Sequence, residues 1–488
     1  MNISVTVHID NRKLDSFSDL EEFVFQICLQ IGRAILQKAL EIQDQRLMAE
    51  RDTERYRDKG LRKTCIKTKC GPVEYRRRVY LDRHAQPGER KSIYLLDELL
   101  KIAKIGAFSV GMCKLIASSV CESTYRATSR QVSELSGQPI SAQGAWNVVQ
   151  EMGRREQKRA EQNAKLAKES QGAGTIETEL LYEEADGVWL KLQGKSRKKY
   201  GSSKEMKVGI AYDGVIWQVN KEGKKRRILN NKIAYAGFES AKTFRANKEG
   251  LIASRFKVKG IKLRVLNGDG ASWIQKQKKG KTITVLDEFH RNKKIKECIR
   301  DPEKEKCIRE VLYEGDVDGL LEYLLVAIDS VEDSDEEERL QELYDYYNKN
   351  KDSLLGYYDR GIEIPPTREP GVLHHARLGS MESNVFTLIG NRMKDKRCTW
   401  SVEGGNNLSN LLCAYHTTGM EELFAELPAD PEKEEEWINE GRPLAAKENK
   451  LSVGKGYDYP AAADTQGSPY WLKDIAQIGG VESLQFIY

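Results

Sequence analysis

The sequence predicts an α/β fold with a mixed sheet, preceded by a mainly α-helical region that contains a β-hairpin. Residues 176–290 change from strand-like alternation to alternating helical and strand patterns. Most of the chain before 153 and from 291 to about 360 has helical periodicity instead. The chain has 488 residues, 39% of them hydrophobic and 31% charged, which suits a globular protein of about three domains.

Composition argues against a membrane protein and against a disulfide or zinc scaffold. The most apolar stretch, residues 320–328, includes Glu322 and falls far short of the roughly 20 residues of a membrane-spanning helix. The N-terminus has no apolar signal segment, so we expect a cytoplasmic protein without a membrane partner. Nine cysteines, without a Cys-x-x-Cys pair, fit reduced thiols better than paired ones.

Charge is segregated along the chain. Residues 51–91 hold 14 Lys and Arg against 6 Asp and Glu, and residues 191–232 hold 13 against 3. Residues 329–345 reverse the balance, with 9 acidic side chains and one basic. Any one such run is most simply a solvated face. Two separate basic runs in one chain favour a polyanionic partner.

Residues 1–91 are predicted to form a long helix and a basic hairpin. Ser18 and Glu21 make a capping box, and we expect the helix to extend to about Lys59. Two strand-like runs then meet at a Gly-Pro turn, residues 71–72. The candidate DNA-phosphate contacts on this hairpin are Lys67, Lys69, Arg76, Arg77 and Arg78.

Residues 92–153 contain a helix, a turn with Gly137 and Pro139, and a second helix that starts at Ala142, the spacing of a helix-turn-helix. Two helices packed for structural reasons would look the same. If the block binds DNA, its second helix presents four side chains to the major groove: Gln143, Trp146, Asn147 and Gln150. Trp146 alternatively belongs to the core. Residues 154–175 are predicted to be a charged helical linker.

Residues 176–420 are predicted to form the catalytic domain. Three strands in succession indicate an antiparallel meander, and two more strands then alternate with helices. This is the order of an RNase H-like sheet. An acidic helical insertion is expected over 291–370, a helix capped by Ser380 follows it, and residues 421–488 read as a variable tail without chemistry.

Two aspartates stand where strands are predicted to end. Asp186 lies in YEEADGVWL and Asp269 in VLNGDGASW, each beside a glycine that lets a substrate approach the backbone closely. Taken singly, an Asp-Gly pair is more often only a turn. Glu382, in the first turn of the helix after the insertion, could equally stabilise the helix dipole.

The joint pattern indicates a metal site. Hard carboxylate oxygens without soft ligands suit Mg²⁺ or Mn²⁺, and three carboxylates can hold two such ions about 4 Å apart. Two ions acting on a phosphodiester predict phosphoryl transfer on DNA. Asp287 and His290 form a D-x-x-H unit after the fifth strand, where His290 is either a structural residue or a support of the same cleft.

These segments together resemble the DDE transposases of bacterial insertion sequences, in particular the ISLre-type group, long catalogued as an uncharacterised family. The resemblance covers about residues 15–420 and lies in five segments: EEADGVWLKLQGK, LNGDGASWI, LDEFHRNKK, SMESNVFTLIGNRMK and TWSVEGG. It implies an RNase H-like enzyme that cuts the ends of a mobile element and joins them to target DNA.

The resemblance also implies roles for single residues. It assigns the catalytic, metal-binding triad to Asp186, Asp269 and Glu382, and matches Asp287 and His290 to the D-x-x-H signature of mutator-like enzymes. Supporting positions are implied for Arg392, Lys394 and Trp400. The implied partners are the terminal inverted repeats, target DNA and further copies of the chain. The alternatives are a transposon-derived DNA-binding protein without turnover and a metal-dependent nuclease without strand transfer.

Overall fold

The computed structural model describes residues 16–86, 91–102, 104–275, 281–394 and 398–425, and the backbone of two terminal strands. The chain divides into two compact units. The first comprises residues 1–120, 125–148 and 424–488, and the second comprises residues 121–124 and 149–423. None of the helices in the described parts of the chain has the length and apolar character needed to cross a membrane. All nine cysteines are free thiols.

The first unit begins with a short strand, β1 (Ser4–Val5), and a long helix, α1 (Phe17–Glu50). Ser16, rather than the predicted Ser18, caps this helix by accepting a hydrogen bond from the Asp19 backbone N–H. The helix also ends earlier than Lys59. The Asp52 carboxylate accepts the backbone N–H groups of Glu54 and Arg55, which turns the chain into a strand.

That strand belongs to the predicted hairpin. The sheet contains β2 (Tyr56–Thr68), β3 (Gly71–Asp82), β4 (Ser92–Ile93), β5 (Lys104–Ile105) and β6 (Phe108–Ser109), in the order β4-β3-β2-β6-β5. Thr68 pairs with Gly71 across the turn, and Gly71 has the positive φ of 107° that the turn requires. A short helix, α2 (Leu95–Leu99), packs on this sheet. Its buried Leu96 lies in one core cluster with Tyr75 of β3.

Three helices follow: α3 (Val110–Glu122), α4 (Tyr125–Ser136) and α5 (Ala142–Lys168). The predicted helix, turn and helix are confirmed, and Ser141 caps α5 by accepting the Gly144 N–H at 3.0 Å. The predicted charged linker from 154 is the second half of α5. It packs on a later helix, α14, because Gly153 allows a close approach: a Cβ there would lie 2.0 Å from the Asn407 carbonyl oxygen.

The second unit is built on a mixed five-stranded sheet with the order β11-β8-β7-β12-β13. Strand β8 is antiparallel to β7 and β11, whereas β12 is parallel to both β7 and β13. The strands and the helices between them are β7 (Leu180–Lys191), α6 (Gly194–Tyr200), β8 (Ser203–Tyr212), β11 (Ile233–Gly237), α7 (Ala241–Arg255), β12 (Leu263–Gly268), α8 (Ser272–Gln275) and β13 (Thr282–Leu286).

One departure from the predicted meander lies between β8 and β11. The sequence pattern predicts one strand through Asp213, but the chain leaves the sheet there and forms a separate antiparallel pair, β9 (Gly214–Val219) and β10 (Lys225–Asn230). Gly214 permits the change of direction: a Cβ there would lie 2.4 Å from Val372 Cγ1. The buried Asp213 carboxylate accepts the side-chain amides of Asn230 and Asn231.

The insertion is helical, as its sequence pattern predicts. Its helices are α9 (Glu288–Cys298), α10 (Pro302–Glu314), α11 (Val317–Asp329) and α12 (Ser334–Lys349). Asp301, Asp316 and Asp333 cap the last three of them, which accounts for part of the acidic composition. Their apolar faces share one core, which includes Ile308 and Leu320 and also Leu286 at the end of β13.

The end of the second unit leads back to the sheet. Single turns of 3-10 helix occur at Val258–Gly260, Lys351–Ser353 and Tyr357–Arg360. The helices after the insertion are α13 (Met381–Val385), a π-helix (Phe386–Lys394), α14 (Val402–Thr417) and α15 (Gly419–Ala425). Ser380 precedes α13 without capping it through its side chain. Most of the predicted tail lies outside the described residues; its last strand, β14 (Phe486–Ile487), pairs with β1.

Candidate active site

The strand register places three aspartates side by side. Ala185 of β7 pairs with Gly268 of β12, and Gly268 pairs with Leu286 of β13. Each of these three residues is followed by an aspartate, namely Asp186, Asp269 and Asp287. Strands β12 and β13 end at this line, whereas β7 continues to Lys191. Asp186 is therefore inside its strand, not at the predicted end, but it lies beside the carboxyl ends of the two parallel strands.

Asp186, Asp269 and His290 form the partly exposed centre of the site. One oxygen of each aspartate is occupied locally: Asp186 Oδ1 accepts the Gly187 N–H, and Asp269 Oδ1 accepts the Ala271 N–H. The second oxygen of Asp186 lies 3.9 Å from His290 Nε2, an ion-pair separation. Burial, and then the charge of Asp186, raise the pKa of Asp269, and the Asp186 carboxylate raises the pKa of His290.

Asp287 has a structural position at the base of this centre. Its Oδ1 caps α9 by accepting the backbone N–H groups of Phe289 and His290, which fixes the start of the helix that carries the imidazole. Its Oδ2 accepts the Asn267 side-chain amide at 2.9 Å. Asp287 thus supports the orientation of His290.

Two buried residues that sequence reasoning missed, Glu184 and Asn267, tie the site together. Asn267 Nδ2 donates to Glu184 Oε2 at 3.0 Å as well as to Asp287, so one amide joins β7, β12 and the start of α9. Burial raises the pKa of Glu184. The signal was the spacing of Glu184 and Asp186 at i and i+2, which puts both side chains on one face of β7.

Glu184 also positions the segment that carries the predicted third acid. Its Oε2 accepts the backbone N–H groups of Gly379 and Ser380, at 3.2 and 3.1 Å, immediately before α13. Glu382, in the first turn of α13, is exposed. Within the described ranges no three His, Cys, Asp or Glu side chains form a group that could hold a metal ion. The structure thus brings Asp186 and Asp269 together and leaves Glu382 outside a three-ligand group.

Behind this centre lies a buried aromatic network. Tyr212 contacts both Glu184 Oε1 and His375 Nδ1, at 2.7 and 2.6 Å. Tyr357 donates to the His375 carbonyl, so the Tyr182 hydroxyl, 2.8 Å from that of Tyr357, is the donor between the two. His375 is fully buried, and burial, followed by the charge of Arg227, lowers its pKa to about 4. The network fixes the chain that leads into α13.

The three predicted supporting residues lie in and after the π-helix. Arg392 is buried, with its guanidinium 5.5 Å from the centre of the Trp400 ring. Trp400 Nε1 donates to the Met393 carbonyl, and the Trp400 backbone forms a bridge with Leu192 just beyond β7. Arg392 and Trp400 therefore hold the π-helix against the central sheet, whereas Lys394 is exposed.

The predicted DNA contacts of the hairpin divide into accessible and internal residues. Lys69 and Arg76 are exposed and Lys67 is half-buried. Arg77 is only 2% exposed, pairs with Asp97 and lies over the Tyr94 ring, so the structure does not place it on the surface. Arg78 is also engaged, because it donates to the buried carboxylate of Asp44 through both its backbone N–H and its guanidinium. Of the five predicted contacts, Lys67, Lys69 and Arg76 are therefore accessible.

The predicted DNA contacts of α5 divide in the same way. Gln143 and Asn147 are exposed and hydrogen-bonded to each other at 3.0 Å, and Trp146 is 39% exposed rather than part of the core. Gln150 is buried and accepts the Asn407 side-chain amide at 2.7 Å. Gln150 is therefore a packing residue of α5 and is not available to contact a base.

The fold and the site together define an α/β protein with an acidic cluster where parallel strands of its central sheet end. The chain belongs to the uncharacterised protein family UPF0236, which it matches over residues 12–424. A comparison with curated proteins found no match. The predicted resemblance to an uncharacterised family is confirmed over most of the chain, and the transposase activity stays a prediction.

Proposed function

We propose that the protein is the transposase of a bacterial insertion sequence, a cytoplasmic enzyme that binds the ends of its element, cleaves them and transfers them to target DNA. The observation that carries the proposal is the register that aligns Asp186, Asp269 and Asp287 on three neighbouring strands. Ligand and catalytic sites of open α/β sheets lie at this edge. The alignment brings Asp186 to the same edge of the sheet as Asp269 and Asp287, which come much later in the chain.

The strand order supports an RNase H-like catalytic domain. Counted from the first strand of the sheet, the order β11-β8-β7-β12-β13 is 3-2-1-4-5, with only the second strand antiparallel to the rest. The sequence predicts three antiparallel strands followed by two strands that alternate with helices, and this sheet fits that RNase H-like arrangement. The helical insertion lies between the fifth strand and the helix of Glu382, as the predicted RNase H-like domain requires.

Two of the three proposed ligands fit divalent cations. Asp186 and Asp269 are neighbouring hard-oxygen donors; burial, and then the charge of Asp186, raise the pKa of Asp269, and a bound cation would favour its charged form against both. A pair of Mg²⁺ or Mn²⁺ ions would polarise the phosphodiester and stabilise the leaving oxygen. We propose Glu382 as the third ligand; this requires its exposed side chain to turn toward the aspartates.

Among the other residues of the site, we propose that His290 exchanges a proton and that Asp287 and Glu184 hold neighbouring segments in place. His290, whose pKa the Asp186 carboxylate raises, is placed to donate a proton or a hydrogen bond to a phosphate oxygen beside the aspartates. Asp287 holds its helix in place, and Glu184 holds the segment before α13. The basic runs supply electrostatic attraction to DNA without sequence preference.

The test is a strand-transfer assay with purified protein. A labelled duplex carrying the terminal inverted repeat of the element is incubated with a plasmid target and Mg²⁺ or Mn²⁺. We expect 3′ ends cut at the element boundary and joined to the plasmid. Asp269→Asn should abolish both steps while retaining binding, because it removes one anionic ligand and leaves the basic surfaces unchanged.

Asn267→Asp and Asp316→Asn are informative controls. The first adds a negative charge between two carboxylates and should reduce activity through misplacement of the site, whereas the second replaces one helix-capping side chain of the insertion by another and should leave activity intact. Cutting without joining would identify a nuclease. Specific binding by the wild-type protein without cutting in either metal would identify a DNA-binding protein without turnover, and strand transfer by Asp269→Asn would contradict the proposed ligand.

A further inference from the structure

The hairpin formed by β9 and β10 is an exposed basic element of the second unit. Every residue from Trp217 to Arg227 is exposed. The segment carries five cations and one acidic residue, Glu222. The cations are Lys221, Lys224, Lys225, Arg226 and Arg227.

The register places an aromatic ring among these cations. Trp217 pairs directly with Arg227, and Val219 pairs with Lys225, so the four side chains share one face of the hairpin. Trp217 is 56% exposed and Val219 is 58% exposed. An apolar ring flanked by guanidinium and ammonium groups is suited to a ligand that has flat apolar surfaces and regularly spaced negative charges. Nucleic acid combines both.

The base of the hairpin is fixed to the segment that leads to α13. Val215 and Leu373 exchange two backbone hydrogen bonds of 2.9 and 2.8 Å, and Asn230 donates to Glu369. Leu373 lies two residues before His375, in the segment that leads to Glu382. The hairpin is therefore anchored at its base to this segment and exposed toward its tip.

We propose that the β9–β10 hairpin binds the element-end DNA, with its cations on the backbone and Trp217 against a base or sugar. The inference rests on the proposed function and adds a surface to it. Duplex contacts of this kind have two separable signatures. Cations set the salt dependence of binding, about 0.9 in the slope of log K against log salt for each phosphate, whereas aromatic contacts change affinity without changing the slope.

The experiment compares three full-length variants by fluorescence anisotropy on the element-end duplex over a range of salt concentrations. The triple variant K225A/R226A/R227A should lower the slope by about 2 to 3. Trp217→Ala should weaken binding roughly tenfold or more at an unchanged slope. The matched control K296A/R300A/K306A removes three exposed cations from the insertion, and it should change the slope far less.

The outcomes separate this inference from the proposed function. If the wild-type protein does not bind the duplex, the proposed function is wrong. If it binds and the hairpin triple variant keeps its affinity and slope, or loses no more than the control, the hairpin is not a DNA surface. Photo-crosslinking from a benzoylphenylalanine at Val219, which shares the face of Trp217, gives a second readout: crosslinks to the element-end duplex support the proposal, and crosslinks to protein alone contradict it.

Discussion

At the scale of single residues, the site depends on an amide that links two carboxylates. Asn267 donates one proton to Glu184 and one to Asp287, so a neutral group separates negative charges in the interior. Without Asn267, Glu184 would still accept hydrogen bonds from three other donors. Among the described residues, Asn267 is the hydrogen-bond donor to Asp287 Oδ2. Loss of the amide therefore affects the start of α9 first.

We expect Asn267→Ala to lower the free energy of unfolding by about 2 to 3 kcal/mol, because it leaves two buried carboxylates short of a donor. Urea denaturation measures the change. Asn348→Ala, an exposed position on α12, is the matched control and should change stability by less than about 0.5 kcal/mol. Equal effects of the two substitutions would show that the bridge contributes nothing to stability.

His375 predicts a specific dependence of stability on pH. Its pKa is lowered from 6.5 to about 4 by burial, so the unfolded chain takes up a proton before the folded protein does. Stability from this group is present above about pH 6.5 and is lost as the pH falls toward 4. Between pH 7 and pH 5 the loss amounts to about 2 kcal/mol.

His375→Asn should remove this component, since asparagine does not titrate and can still bond to Tyr212. The measurement is the free energy of unfolding of both proteins by urea at pH 7 and pH 5. The wild-type protein should lose about 2 kcal/mol more than the variant. Parallel losses in the two proteins would mean that His375 is protonated in the folded state.

The limits of sequence reasoning at this scale are visible in Glu184 and Asp186. An aspartate beside a glycine after an apolar strand stands out, so Asp186 and Asp269 were predictable. Glu184 is separated from Asp186 by one residue but is fully buried, and its partners Tyr212 and Gly379 come from distant segments. A buried carboxylate is identifiable only from its partners.

At the scale of elements, the β2–β3 hairpin shows how adjacent arginines take different roles. Alternation along β3 correctly separates Arg76 from Arg77, but it cannot tell which face is covered. Asp97, 20 residues after Arg77, closes one face through α2, and Asp44 on α1 engages Arg78. The strands were therefore predictable from local pattern, whereas the accessible cations were decided by long-range ion pairs.

Arg77→Ala should lower the free energy of unfolding by about 3 kcal/mol, because it leaves the Asp97 carboxylate without its buried partner. Arg76→Ala should leave stability unchanged within about 0.5 kcal/mol, since the side chain is exposed. Thermal or urea unfolding of the two variants decides between them. If the two variants were equally stable, water would compensate the Asp97 carboxylate fully for the loss of Arg77.

At the scale of the whole molecule, the chain has two compact units that carry different candidate functions. The exposed polar side chains of α5, Gln143 and Asn147, belong to the first unit, and the aspartates belong to the second. The order of the second unit's sheet was predictable because a meander and parallel crossovers allow few topologies. The separate pair of β9 and β10 was not predictable, because an Asp-Gly pair inside a strand pattern does not reveal whether the strand stops pairing with its sheet there.

This separation predicts that recognition of the element ends and chemistry can be lost independently. Asparagine and glutamine read adenine through paired hydrogen bonds, each worth about 1 to 3 kcal/mol of discrimination, whereas lysine and arginine on phosphates bind any sequence. The double variant Q143A/N147A should therefore lose preference for the element ends over random duplex, roughly tenfold or more, while its affinity for random duplex stays the same.

A competition titration of labelled element end against unlabelled random duplex measures the preference. Two controls bracket the result. Gln150→Ala removes the buried partner of Asn407 and should lower stability without changing preference in the fraction that stays folded. Asp269→Asn should retain full preference and lose strand transfer. If Q143A/N147A weakens binding to both duplexes equally, or to neither, α4 and α5 serve only as a scaffold, and the ends must be recognised by another surface, the hairpin of β2 and β3 with Lys69 and Arg76 being the next to test.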